Sequence, residues 1–225
     1  MVSLAKPDDV TVQRQVMDEL RWDPRVDARS IEVNVTGGVV HLRGSAGTYA
    51  QRLAARAAAH RVAGVLDITD ELRVVLPPEE RRSDLDLAKV VREALEWSVF
   101  VPGGRIHSTV SAGWVTLDGT VGTLTQRADA VTAVERLHGV QGVVNQIIVE
   151  SPIVASARIK SDIEKAISRQ ARRTGAGVQV RVDDGVVTLT GVVRCWSDRH
   201  ALAQVVSSAP GVRQVVDRVS IDPTK

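Results

Sequence analysis

The residues of this chain best suited to chemistry are one cysteine, five histidines and a glycine motif that occurs three times. Cys195 and His200 are five residues apart, and covalent catalysis needs a nucleophile beside a base. On a predicted helix, however, this spacing turns the two side chains about 140° apart. No histidine has another histidine or a cysteine at a metal-ligand spacing. We therefore expect no catalytic residue, no metal and no cofactor.

The glycine motif reads GVVHLRG at 38–44, GWVTLDG at 113–119 and GVVTLTG at 185–191. A phosphate-binding loop needs closely spaced glycines between a strand and the start of a helix. In this motif two glycines bracket an alternating strand, which is typical of turns at both strand ends. A third glycine follows each copy at a constant offset. The predicted structural turn glycines are Gly38, Gly44, Gly64, Gly113, Gly119, Gly139, Gly185, Gly191 and Gly211.

The motif belongs to a longer internal repeat, since its first glycines Gly38, Gly113 and Gly185 are 75 and 72 residues apart. Apolar, glycine and arginine positions recur at matching offsets around each copy. Repetition at a fixed period indicates homologous structural units. We divide the chain into units one, two and three at 8–76, 84–150 and 157–222. The linkers LPPEERRSD and ESPIVAS separate them.

Each unit shows the same succession of periodic segments. Apolar residues four apart predict a first helix at about 8–21, 85–98 and 157–171, and a second helix follows at about 48–62, 123–138 and 195–208. Alternating segments predict a hairpin between the helices and a third strand after them, which returns parallel to one hairpin strand. The predicted fold class is α+β: three tandem α-β-β-α-β two-layer domains, each with a three-stranded mixed sheet and both helices on one face.

These residues resemble the BON-domain family of bacterial envelope and stress-response proteins. Residues 23–74 follow the family pattern, and units two and three carry it in G-x-V-x-L-x-G and in GVQGVVNQIIV and GVRQVVDRVSI. The resemblance implies no known catalysis. It implies binding roles at anionic phospholipid membranes, in envelope integrity, in osmotic shock and in ion sensing.

On this basis we expect a non-enzymatic, stress-related binding or scaffolding protein that contacts an anionic phospholipid surface or a protein partner. A chaperone-like or homo-oligomeric assembly protein and a small-ligand or ion sensor stay open as alternatives. The 29 basic and 27 acidic residues leave a net charge of only +2, so nucleic acid is not an expected partner. The sequence has no signal-peptide pattern and no transmembrane segment, which predicts a cytoplasmic protein, peripheral to a membrane at most.

An arginine recurs in the first turn of each second helix, where the helix dipole disfavours a cation. An aspartate or asparagine recurs in each third strand, with the parity of the core-facing residues. We predict a structural clamp in each unit, from the arginine to the aspartate or asparagine or to nearby carbonyls, with an ordinary surface arginine and a ligand-binding arginine as the alternatives. The clamp candidates are Arg52 with Asp70, Arg127 with Asn145 and Arg199 with Asp217.

Three tryptophans are interface candidates. Trp22 and Trp97 are equivalent residues at the ends of first helices, where we expect them to cover the core, with membrane insertion as the alternative. Trp114 has the parity of the polar sheet face, which favours an inter-domain or subunit contact, whereas Trp196 is expected to pack internally.

The first helix of unit three and the loop after it are rich in basic residues. A basic amphipathic helix attracts an anionic membrane surface, and an ordinary solvated face is the alternative. The anionic-surface candidates are Arg158, Lys160, Lys165, Arg169, Arg172 and Arg173.

Overall fold

The structure, a computed structural model, describes residues 7–78, 82–151, 155–174 and 177–223. Unit one contains α1 (Asp9–Trp22), β1 (Ile31–Thr36), β2 (Val39–Ala46), α2 (Tyr49–His60) and β3 (Asp67–Val74). Unit two contains α3 (Asp84–Trp97), β4 (Ile106–Ser111), β5 (Trp114–Val121), α4 (Leu124–Glu135), β6 (Gly142–Asn145) and β7 (Ile148–Val149). Unit three contains α5 (Ser156–Thr174), β8 (Gly177–Asp183), β9 (Val186–Val193), α6 (Trp196–Ser207) and β10 (Gln214–Ile221). The three α+β units of the sequence prediction are confirmed.

The second strand is central in every sheet. It pairs antiparallel with the first strand through the hairpin and parallel with the third strand through the helical crossover. Leu42, for example, is opposite Val33 on one side and Asp70 on the other. In unit two the third strand is interrupted between β6 and β7, but both pieces pair with β5 in one register.

Each core forms where the two helices cover one face of the sheet. In unit one, α1 contributes the fully buried Val12, Val16 and Leu20, and the central strand contributes Val40 and Leu42. Helix α2 buries alanines instead, at 54, 55, 58 and 59. Because alanine side chains are short, the backbone of α2 lies close to the sheet. No large aromatic side chain is then needed to fill the space between them.

The contacts between units run through the second helices. His60, the last residue of α2, stacks on Trp196, the first residue of α6, with 3.7 Å between ring centroids. At the other end of α2, Tyr49 packs against the buried cluster that units two and three share. The second helix of unit one is therefore in contact with other units at both ends.

Helices α4 and α6 also meet. The end of α6, with Ser207, and the start of α4, with Leu124, line one cleft. Glu135 at the end of α4 is half-buried, and this burial raises the pKa of its carboxyl. The charges of Arg136 and of Arg56 in unit one lower this pKa and offset part of the effect. The three second helices therefore lie close to one another.

The glycines after the second helices stand beyond the helix ends and do not cap them. Helix α2 ends at His60, and the chain continues through tight turns such as the 3.3 Å bond from Val62 N–H to the Ala59 carbonyl. Gly64 follows these turns with a φ of 91°. Gly139 and Gly211 stand in the same place in their units, with φ of 96° and 88°. Within the described ranges, no helix has the length and apolarity needed to cross a membrane.

Candidate functional site

An ion pair joins the second helix to the third strand in units one and three. Arg52 Nε donates to Asp70 Oδ2 over 3.0 Å, and Arg199 Nε donates to Asp217 Oδ2 over 2.7 Å. The other oxygen of each aspartate accepts a backbone N–H two residues later, from Leu72 at 3.1 Å and Val219 at 2.9 Å. Each carboxylate therefore serves its own strand with one oxygen and the helix with the other.

Unit two departs from this arrangement. Asn145 Oδ1 accepts the N–H of Ile147 over 3.0 Å, as the aspartates do in their units. The remaining atom of the amide is an NH₂ group, which donates and cannot receive a hydrogen bond from an arginine. Among the residues that the structure describes, the Arg127 side chain has no hydrogen bond or ion pair. The clamp expected from the sequence is therefore absent in unit two.

We predict that Asp70→Asn, which copies unit two into unit one, lowers the free energy of unfolding by about 1.5 kcal/mol. The side chains of Arg52 and Asp70 are only 25% and 10% exposed. Water would therefore replace the lost carboxylate poorly as a partner of the Arg52 guanidinium. Urea unfolding followed by circular dichroism measures the change.

Glu71→Gln is the matched control, because it removes the 3.0 Å pair of Arg43 and Glu71 on the exposed sheet face. An exposed pair contributes little, so we expect a loss below about 0.5 kcal/mol. Equal losses in the two variants would show that Arg52 and Asp70 do not form a stabilising clamp.

Cys195 and His200 are engaged separately. Cys195 is the residue before α6, and its Sγ is 3.0 Å from Ser197 Oγ. His200 Nε2 is 3.0 Å from Gln204 Nε2, and its ring stacks on Trp196. No group of three or more histidine, cysteine, aspartate or glutamate side chains in the described part of the chain is placed to hold a metal ion.

A stack of three rings, His60, Trp196 and His200, joins unit one to unit three. The centroids of Trp196 and His200 are 4.9 Å apart, and the planes of both ring pairs are within 18° of parallel. Within the described residues, the buried Nδ1 of His60 has no hydrogen-bond partner. Burial, followed by the charge of Arg56, lowers the pKa of His60 to about 4, so the ring is neutral near pH 7. His60 has no histidine at the equivalent positions of the other units, and repeat analysis therefore missed it.

Trp22 and Trp97 do not cover the cores, so that expectation was wrong. Each side chain is 85% exposed. The buried stripes end at Leu20 and Leu95, two residues earlier. Two residues turn a helix by about 200°, which directs both indoles away from the core.

The loop after α3 adds two more exposed apolar side chains. Val99 is 93% exposed and Phe100 is 72% exposed. We call Trp97, Val99 and Phe100 the apolar tip. It places three large apolar side chains in water within four consecutive residues, which is unusual for an isolated protein surface.

Unit one closes the equivalent loop with charges. Arg25 donates two hydrogen bonds to the buried Asp23, of 2.9 and 2.7 Å, and Arg61 donates a third of 3.3 Å. These bonds, those of Arg25 first, hold the pKa of the Asp23 carboxyl well below its usual range. Among the described residues, unit one therefore has no counterpart of the apolar tip. Sequence reasoning missed it because only Trp22 and Trp97 were aligned, and not the residues that follow them.

A groove of about 550 Å³ lies beside the apolar tip, between α3 and β4. Val101, the residue after the apolar tip, lines this groove. Its ionisable lining residues are Lys89, Arg92, Glu96 and His107. Lys89 also lies 3.8 Å from Asp86, but both side chains are more than half exposed, so water screens the pair. The groove thus brings more basic than acidic groups next to the apolar tip.

The basic residues of α5 lie opposite its core face. Ile159, Ile163 and Ile167 are buried, whereas Arg158, Lys160, Lys165 and Arg169 are exposed. Lys160 is 3.8 Å from Glu164. Arg172 and Arg173 belong to the same helix, but their side chains lie outside the described residues. We call Arg158, Lys165 and Arg169 the basic face.

Trp114 lies next to Gly142 of the neighbouring strand, and a Cβ at Gly142 would collide with its indole ring. The side chain remains 46% exposed. One part of the ring therefore protects the backbone of β6, and the other part is accessible to a partner.

Comparison with known proteins identifies the repeat. A family model described as BON domain matches residues 8–75, 83–151 and 155–223. The comparison with curated proteins gives no match.

Similar solved structures include that of CdsD, a structural protein of the type III secretion system of Chlamydia trachomatis. It has 12% identity and a TM-score of 0.27, covering 93% of this chain and 91% of that one. The C-terminal domain of CdsD gives 12% and 0.27, with coverages of 96% and 100%. The PrgH periplasmic domain gives 12% and 0.22, with coverages of 92% and 99%. At these TM-scores the likenesses carry no argument about function.

Proposed function

The chain belongs to the BON-domain family, and from this premise we propose that it is a non-enzymatic protein that binds anionic phospholipid surfaces. The observation that carries the proposal is the apolar tip. Exposing Trp97, Val99 and Phe100 to water is unfavourable, and transfer of such side chains to an apolar medium gains about 1.5–3 kcal/mol each. Indole rings in particular favour the interface of a bilayer.

Charge supports the same proposal. Lys89 and Arg92 line the groove beside the apolar tip and supply positive charge that can attract lipid phosphates. The basic face of α5 adds cations that attract an anionic surface by about 1 kcal/mol per residue close to it. Stable membrane association requires two signals, such as an apolar one and a basic one. Unit two supplies the apolar signal through the apolar tip, and unit three supplies the basic signal through the basic face. A stress-linked setting, which the family resemblance implies, is part of this proposal.

The test of the apolar tip is co-sedimentation with liposomes that contain phosphatidylglycerol. We expect the double variant Trp97→Ser, Phe100→Ser to bind at least about a hundredfold more weakly, because two insertable rings that contribute about 1.5–3 kcal/mol each are lost. Trp22→Ser is the matched control, since this indole is equally exposed but is followed by Asp23, Pro24 and Arg25, a charged loop that does not enter lipid. We expect it to change binding less than twofold.

A second arm tests the charge. Reversing the basic face with Arg158→Glu, Lys165→Glu and Arg169→Glu should weaken binding to anionic liposomes at least about a hundredfold and reduce its salt dependence. Uncharged phosphatidylcholine liposomes should bind wild type and variant equally weakly. Binding that survives both the tip and the charge variants would contradict the proposal. A wild-type chain that ignores liposomes but self-associates through the apolar tip would favour the assembly alternative.

A further inference from the structure

The departure of unit two from the ion pair of the other units leaves two donor groups, the guanidinium of Arg127 and the NH₂ of Asn145, without a hydrogen-bond acceptor among the described residues. In units one and three the acceptor is the carboxylate oxygen that meets the arginine at 3.0 and 2.7 Å. In unit two the bond from Ile147 N–H fixes Asn145 Oδ1 on the strand side. The Asn145 NH₂ then takes the place of the missing oxygen, beside the helix that carries Arg127. Asn145 is exposed and Arg127 is half-buried, so water can satisfy these donors in the free protein, and a ligand that supplies an acceptor would replace that water.

Both residues line a cleft of about 1,280 Å³ between units two and three. Its apolar walls include Leu124, Val131 and Ile147 from unit two and Val186 and Val215 from unit three. Mostly apolar walls with a few converging polar groups are typical of small-molecule sites.

The other charges of the cleft limit what it accepts. Arg213 at the far wall is paired with the carboxylate of Asp184 at 2.6 Å, so its charge is already compensated. Asp129, on the same helix as Arg127, also lines the cleft and repels a second negative charge. His200 completes the ionisable lining and is bonded to Gln204. A single negative charge at Arg127 is therefore favoured over a multivalent anion.

We propose that this cleft binds an aliphatic monocarboxylate, whose carboxylate replaces the aspartate side chain that unit two lacks. One carboxylate oxygen accepts from the guanidinium of Arg127 and the other from Asn145 Nδ2, which satisfies both donors. The aliphatic chain lies against the apolar walls. The site is separate from the apolar tip, and this inference does not depend on membrane binding.

The experiment titrates the full-length protein with octanoate by isothermal calorimetry, with octanol, acetate and inorganic phosphate as comparison probes. We expect octanoate to bind at least tenfold more tightly than each of the three, because it alone combines one planar negative group with an apolar chain. Arg127→Gln should weaken octanoate binding at least tenfold.

Asn145→Asp is the decisive variant. It supplies the carboxylate internally, so octanoate binding should fall at least tenfold while the melting temperature rises, which shows that the loss does not come from unfolding. Gln146→Glu is the matched control, as it adds the same charge one residue away, at an exposed position between β6 and β7 that does not line the cleft, and it should bind within about twofold of wild type. Octanoate binding that is unchanged in Asn145→Asp overturns the proposal. Octanol that binds as tightly as octanoate, or phosphate that does so, also overturns it, since the cleft would then select only apolarity or only charge.

Discussion

Replacing Gly44 by alanine is expected to lower the free energy of unfolding of unit one by about 4 kcal/mol. The φ of Gly44 is 116°, a region that residues with a Cβ rarely adopt, at a cost of about 1–3 kcal/mol. The added Cβ would also collide with the Ser30 carbonyl oxygen, because it would lie well within the sum of their van der Waals radii. Because Gly44 is opposite Ile31 in the antiparallel pair, relief of the clash would separate the two strands of the hairpin. Urea unfolding followed by far-ultraviolet circular dichroism measures the loss.

Two further substitutions separate strain from the general loss of a glycine. Gly119→Ala should have a similar effect in unit two, since the φ of Gly119 is 125° and its Cβ would collide with the Arg105 carbonyl oxygen. Gly37→Ala has a φ of 62° but no heavy atom within 4 Å of its Cβ, so we expect a loss of only about 1 kcal/mol. A Gly44→Ala protein as stable as Gly37→Ala would refute the steric explanation.

Acidification is expected to weaken the junction of unit one and unit three through His60. The pKa of this ring is about 4 in the folded protein and 6.5 in the absence of its surroundings. Above pH 6.5 the ring is neutral in both states, so it adds no pH dependence. Between pH 6.5 and 4 the unfolded chain takes up a proton that the folded chain does not, so stability falls as the pH falls. Below pH 4 both states are protonated and the effect is complete.

The expected loss is about 1 kcal/mol at pH 5.5 and about 2 kcal/mol at pH 4.5, reduced from the full linkage value because the ring is partly exposed to water. The charges around the ring are those of Arg56, Asp67, His200 and Arg199. His60→Gln is the control, because it removes this titration and keeps those of the other groups. The measurement is the free energy of unfolding of both proteins at pH 7.5, 5.5 and 4.5, together with Trp196 fluorescence. Parallel pH profiles of the two proteins would show that His60 is not responsible.

The local structure of each unit was predictable because it depends on short-range patterns. Apolar residues four apart predicted the buried stripe of α1, and strict alternation predicted Val40 and Leu42 as core positions of β2. The repeat also brought Arg52 and Arg199 together with their aspartates, since parity and helical phase place them on facing sides of two elements. The ion pair is absent from unit two because the single side-chain oxygen of Asn145 accepts the N–H of Ile147. This bond is visible only in three dimensions.

The tryptophans show where pattern reasoning ends. From its sequence position alone, an indole at the end of an amphipathic helix can lie on either face. Each residue turns the helix by about 100°, so a shift of one or two residues moves a side chain from the core to solvent. The structure turns Trp22 and Trp97 outward and joins Trp97 with Val99 and Phe100. The difference between the charged loop of unit one and the apolar tip of unit two was present in the sequence, but its meaning depended on the exposure of these side chains.

The sequence by itself determined the number of units, their element order and the family, because hydrophobic periodicity and turn glycines act within about seventy residues. Only the tertiary structure decided how the units meet. The stack of His60 on Trp196, and the cleft that Arg127 and Asn145 share with unit three, join residues that no repeat offset relates. Contacts between units depend on shape and on which polar groups are left unsatisfied, and these are properties of assembled surfaces.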